Sequence, residues 1–246
     1  MPSDHRILVL DFDGTICLGD GLVWAYAEGV LEHLAGDLAH RISSALRAYL
    51  DGDPASGDYA DGYGALAELA RPHVDGAVLD DAYARSRLAL EDLDVEIQAP
   101  EGLAALLDEL SDVHRVVVTN APSTGLDTAL RRLGLRGRID EVIPSAGKPA
   151  RGREVLTTLL DGTPAAHLMS VGDIWDNDIA PALELGSATA FIDRLARDSR
   201  PAHVRARTIS ALYPAIREWA LRPEVFLTEH DSALHQVSTD PRGARP

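Results

Sequence analysis

Short apolar runs that end in polar, chemically capable residues recur along this chain. Residues 6–10 (RILVL) run into DFDGT, 115–119 (RVVVT) into NAPS, 167–171 (HLMSV) into GDIWDND and 188–192 (ATAFI) into DR. Residues 139–143 (IDEVI) form a weaker member of the same set. Brief apolar runs closed by such loops read as buried strands. Helical spacing of apolar residues fills most of the gaps, over 102–111, 123–134, 152–160 and 176–185. Strand and helix in alternation predict an α/β fold, a Rossmann-like parallel sheet covered on both faces. Ligands of such sheets bind beyond the carboxyl ends of the strands. The carboxylates, the Thr-Asn pair and the Gly-Asp pair all fall at those ends.

The alternation is interrupted over residues 17–100, where helical patterns follow one another at 22–35, 38–50, 62–71 and 78–92. This stretch reads as an all-helical domain inserted between the first and second strands. The remaining core is expected to span 1–16 and 101–222, closing with a short edge strand and a helix within 207–219. Residues 223–246 lack clear periodicity and are expected to form a flexible C-terminal tail.

Charge changes the picture in two ways. The chain has 246 residues and a net charge of −16, and the helical insert accounts for −11 of it. Such acidity excludes a nucleic-acid footprint and an anionic membrane surface as partners. The bland account of the acidic insert is a set of solvated helix faces; the alternative is selection against highly anionic substrates. An apolar fraction of 46% suffices for a large core, yet no run approaches the roughly 20 apolar residues of a membrane span. The N-terminal segment does not read as a secretory signal, and Cys17, the single cysteine, cannot form an internal disulfide. A cytoplasmic protein, monomer or homodimer, is the expectation. The second change concerns cations: of 23 basic residues one alone is lysine, Lys148. A compact ammonium is thereby marked out in a chain that elsewhere uses guanidinium.

These features converge on one chemistry. Asp11 and Asp13 follow the first strand two residues apart, and Gly14 permits the turn after them. Asp173 and Asp178 follow another strand. Four carboxylates in one crevice repel strongly, and a hard divalent cation with oxygen ligands, Mg²⁺, resolves the repulsion. A cation among carboxylates also attracts phosphate. Thr119, the backbone at Asn120 and the ammonium of Lys148 supply donors for phosphate oxygens. Asp176 reads as a solvated helix start rather than a ligand.

With DFDGT at 11–15, Thr119-Asn120, Lys148 in SAGKPARG and GDIWDND at 172–178 in this order, the sequence resembles the haloacid dehalogenase-like (HAD) superfamily of hydrolases. The helical insert stands where that family carries its C1 cap. The resemblance implies that Asp11 is the nucleophile and that Asp13 is the general acid and base, its main-chain carbonyl also binding Mg²⁺. It implies that Asp173 and Asp178 bind the metal, that Thr119 and Asn120 hold the phosphoryl group, and that Lys148 neutralises Asp11 and the phosphoryl charge. The implied activity is Mg²⁺-dependent hydrolysis of a small phosphorylated metabolite through an aspartyl-phosphate, with the cap closing over the substrate. Dehalogenases of the family lack the second aspartate of the first motif, and Asp13 is present here. Phosphonoacetaldehyde hydrolases use a cap lysine, and this insert has none. A phosphomutase shares these core motifs and stays open, as does a non-catalytic binding or regulatory protein on the same scaffold.

Overall fold

A computed structural model describes residues 5–91 and 95–235. The apolar runs form the strands β1 (Ile7–Leu10), β2 (His114–Val118), β3 (Glu141–Ile143), β4 (Leu168–Gly172) and β5 (Ala188–Ile192). A sixth strand, β6 (Val204–Ala206), lies at one edge. All neighbours pair in parallel, in the order β3-β2-β1-β4-β5-β6. The α/β expectation therefore holds, and β1 sits inside the sheet. Both of its faces are buried, which is why it reads as an unbroken apolar run rather than an alternating one. Ile7 and Val9 join Val116, Val118 and Leu168 against Val155, Leu156 and Leu160, while Leu8 and Leu10 are wholly buried on the opposite face.

The helices, in chain order, are α1 (Gly21–Leu31), α2 (Gly36–Leu50), α3 (Gly62–Ala70), α4 (Gly76–Leu88), α5 (Leu103–Glu109) and α6 (Leu126–Arg132). They continue with α7 (Gly152–Leu160), α8 (Ala180–Leu185), α9 (Tyr213–Leu221) and α10 (Pro223–His235). The chain divides into two compact units. One comprises the residues up to Ile16, Pro100–Asn120 and everything from Gly137 onward, and contains the sheet. The other joins Cys17–Ala99 to Ala121–Arg136, so that α6 groups with the helices of the insert.

Within the helical unit, α1 packs on α4 so closely that a Cβ at Gly29 would lie 2.9 Å from that of Ala82. Tyr26 is buried against Tyr63 and Tyr83, with ring centroids 6.0 and 5.9 Å away. It is a core residue of this unit. Arg87, also wholly buried, donates to the Tyr63 hydroxyl at 3.1 Å.

Three expectations shift. The edge strand forms at 204–206, ahead of the segment read for it, and Thr208 leads instead into a 3-10 turn (Ile209–Leu212) and α9, with Pro214 in the helix's first turn. There the missing proline N–H has no helical partner to lose. The helix read at 176–185 is broken: Trp175–Ile179 form one π-helical turn, and α8 begins only at Ala180 with Pro181 in its first turn. The flexible tail read over 223–246 is corrected as far as His235. Residues 223–235 form α10, whose Phe226 is completely buried and whose Glu224 accepts from His167 Nε2 at 2.7 Å. One anchoring aromatic ring and one hydrogen bond fix a segment whose periodicity is weak. Residues 236–246 lie outside the described residues.

Candidate active site

The register of the sheet decides where the chemistry gathers. Leu10 pairs with Val117 on one side and Val171 on the other, so β1, β2 and β4 end together. Asp11, Thr119 and Asp173 are the residues that follow. Asp11 remains tied to the ladder through its amide, which donates to Val171 O at 2.9 Å. Thr119 is buried, and its backbone still bridges toward β3, donating to Ile143 O at 3.0 Å.

Oxygens of Asp11, Asp173 and Asp178 all lie within 4.8 Å of one another. The carboxylate of Asp13 is outside this group and half-buried, while the resemblance gives Asp13 its metal contact through the main-chain carbonyl. Asp176 is also outside: it is exposed and pairs with Arg200 at 2.8 Å, as a solvated position would. Two glycines make the approach of the acids possible. A Cβ on Gly14, whose φ is +77°, would stand 2.1 Å from Asp173 Oδ2, and one on Gly172 would stand 2.3 Å from Asp178 Cγ. Any other residue at either place would drive a carboxylate out of the group.

Lys148 reaches into the cluster from the loop after β3. Its Nζ donates to Asp11 Oδ1 at 2.8 Å, to Asp178 Oδ1 at 2.6 Å and to the Val118 carbonyl at 2.8 Å. Three acceptors saturate the three N–H bonds of the ammonium. Burial opposes its charge, but Asp11 and Asp178 outweigh burial and hold its pKa above the ordinary lysine range. Asp178 is pushed the other way for a carboxylate, up to about 7. Burial is the main cause and the charge of Asp11 adds to it, while Lys148 and the Ile174 amide only partly offset them. One ammonium among three carboxylates leaves the site short of positive charge. The donors are all oxygen, close together and in excess of negative charge. Such a set fits a hard divalent cation of the Mg²⁺ kind, which completes its shell with water.

Asn120 follows Thr119 and is exposed. Its side chain clamps the backbone of Lys148, accepting from the Lys148 amide at 2.7 Å and donating to the Lys148 carbonyl at 2.8 Å. The side-chain amide thus holds the lysine backbone, whereas the phosphate donor read from the residues is the main chain at Asn120. Sequence reasoning missed this clamp and the Val118 carbonyl, because neither partner lies near Lys148 in the chain. The one available signal was an amide side chain, able to donate and accept at once, directly after a strand end.

Neither a family model nor a curated protein matches the chain. Solved structures do. The putative HAD-hydrolase YfnB from Bacillus subtilis, bound to magnesium, is 20% identical, with 85% of this chain and 97% of that one covered and a TM-score of 0.59. A HAD phosphatase from Thermococcus onnurineus is 19% identical over 86% of this chain and 97% of its own, with a TM-score of 0.52. The L-2-haloacid dehalogenase RSc1362 is 18% identical over 87% and 99%, with a TM-score of 0.54. Strand order, motif order and these likenesses agree: the chain has the fold of the haloacid dehalogenase-like hydrolases.

Proposed function

We propose that the protein is a hydrolase of this fold acting as a Mg²⁺-dependent phosphatase on a small phosphorylated metabolite. One observation carries the reading: three carboxylate oxygens lie within 4.8 Å of one another and two of these carboxylates bind a single buried ammonium, an arrangement suited to a divalent cation and a phosphoryl group together. Fold alone does not choose between phosphatase and dehalogenase, since solved structures of both kinds resemble it. Asp13 favours the phosphatase, because departure of an alkoxide needs a proton that departure of a halide does not.

In this reading residues 1–16 and 101–222 form the catalytic core and 17–100 the cap. Asp11, Asp173 and Asp178, with the Asp13 carbonyl, hold the ion. Bound Mg²⁺ supplies compensation for the carboxylates and for the charge of the phosphoryl oxygens. The Asp11 carboxylate attacks phosphorus in line, and the ester P–O bond breaks as a P–O bond to Asp11 forms. Asp13 gives a proton to the departing alkoxide, then takes one from the water that cleaves the aspartyl-phosphate. Lys148 orients Asp11 through its hydrogen bond to Oδ1, and Thr119 faces the phosphoryl oxygens. The test is a phosphate-release screen over a panel of metabolite phosphates, with and without Mg²⁺. Selective, Mg²⁺-dependent turnover is expected. A phosphoenzyme that accumulates and turns over only with a bisphosphate would make the protein a phosphomutase instead.

A further inference from the structure

The turn that carries Asp178 is gripped from outside by a segment with no counterpart in the motifs. Trp175 and Asp176 begin the π-helical turn Trp175–Ile179 and are engaged by the loop after β5, whereas Asp178 belongs to the carboxylate group. A π-helical turn carries an extra residue and is held only where its surroundings support it. Support comes from the loop after β5. The Trp175 indole donates to Pro201 O at 2.8 Å. The Arg200 guanidinium lies over the Trp175 ring, 4.5 Å from its centroid, and binds Asp176 Oδ2 at 2.8 Å. Beneath them Ile179, Phe191 and Ala202 form an apolar cluster against which Trp175 packs.

The loop is itself stiffened, so it can act as a support. Asp193, buried at the end of β5, accepts from the amides of Arg197 at 3.0 Å and Asp198 at 3.2 Å. It also accepts from Arg205 at 3.2 Å. Asp198 in turn holds Arg200 through two nitrogens, at 2.9 and 2.6 Å. A lone surface ion pair contributes little. Here one planar guanidinium is fixed on three sides, by a carboxylate fork, a second carboxylate and an aromatic face, which an ammonium could not satisfy together.

We propose that Arg200 is a positioning residue for the metal site, acting through Trp175 and Asp176 on the turn that presents Asp178. It works in two ways. It fixes the outer face of the turn, and it draws Asp176, a further carboxylate of the same turn, outward and away from the three that face the ion. The proposal rests on the metal reading given above.

Full-length protein is stripped with chelator and titrated calorimetrically with Mg²⁺ alone, so that no turnover is needed. Arg200→Ala is expected to weaken Mg²⁺ binding about tenfold, the lower range for loss of groups that orient metal ligands. Its Tm in EDTA should stay near that of the parent protein. Arg200→Lys, which keeps the charge but not the plane, should fall between the two. Equal Mg²⁺ affinity in parent and Arg200→Ala protein overturns the proposal. Should Arg200→Ala fail to fold, Arg200→Lys decides, and parental affinity in it overturns the proposal. Absence of Mg²⁺ binding by the parent protein overturns the metal reading itself, and the positioning role with it.

Discussion

The two ends of the sheet treat buried charge in opposite ways. At the carboxyl end, Asp11, Asp173 and Asp178 stand together, Lys148 binds two of them, and negative charge is in excess. Near the amino end, Arg115 on β2 forks onto Asp140, at 2.8 and 2.7 Å, and gives a further bond to Leu107 O at 2.9 Å. There the guanidinium and the carboxylate satisfy each other through a two-point fork. The consequence is visible in the carboxyls themselves. The Arg115 hydrogen bond holds Asp140 below the usual carboxylate range, whereas burial lifts Asp178 to about 7. A matched pair stabilises the fold, and an unmatched cluster stores repulsion that a ligand relieves.

The contrast can be broken most sharply at Asp11. Asp11→Asn removes the nucleophile, and Mg²⁺-dependent phosphate release should fall by more than about a thousandfold. Its Tm in EDTA should hold or rise, since a repelling charge is gone. A parallel loss of activity and of stability would contradict the picture of an unmatched cluster.

The pH dependence of stability separates the two ends next. Asp178 binds its proton more tightly in the folded chain than in the unfolded one. Between about pH 4 and 7 the folded state therefore holds more protons, and metal-free protein should lose stability as pH rises through that window. Asp140 has the opposite sign: its contribution is present above the ordinary carboxylate pKa and is lost as pH falls below it. Melting curves in chelator should show both slopes. Asp178→Asn should flatten the first and leave the second.

Arg115→Ala should cost about 2 kcal/mol, because it strips a partly buried fork and a carbonyl acceptor together. For a chain of this size that is a fall in Tm of roughly 4–8 °C. Turnover per folded molecule should be unchanged. The smallest effect is expected at Asn120. Asn120→Ala deletes both hydrogen bonds to the Lys148 backbone and should lower kcat about tenfold with little change in Tm, because both bonds are exposed and water replaces them. Should the amide instead bind phosphate, KM for an aryl phosphate would rise and kcat would hold.

Much of this organisation was legible in the residues. The strands inside the sheet were readable because they are buried on both faces and therefore continuous in hydrophobicity. The motif residues were readable because carboxylates at strand ends are costly unless used. Lys148 stood out because the chain uses arginine everywhere else. Where the pattern was thin, the reading drifted: β6 has three residues and only partial burial, and α10 depends on Phe226 finding a slot made by distant segments.

By itself, then, the sequence determined the α/β class, the helical insert and which side chains stand at the carboxyl ends of β1, β2 and β4. These follow from local periodicity and from the chemical cost of each residue type. Only the tertiary structure decided that Lys148 is shared between Asp11 and Asp178, that Asn120 grips the lysine backbone and that Arg200 braces the turn bearing Asp178. Each of those contacts joins residues more than twenty positions apart. Strand register and loop packing create such contacts, and no local pattern in a chain encodes which distant partner will arrive.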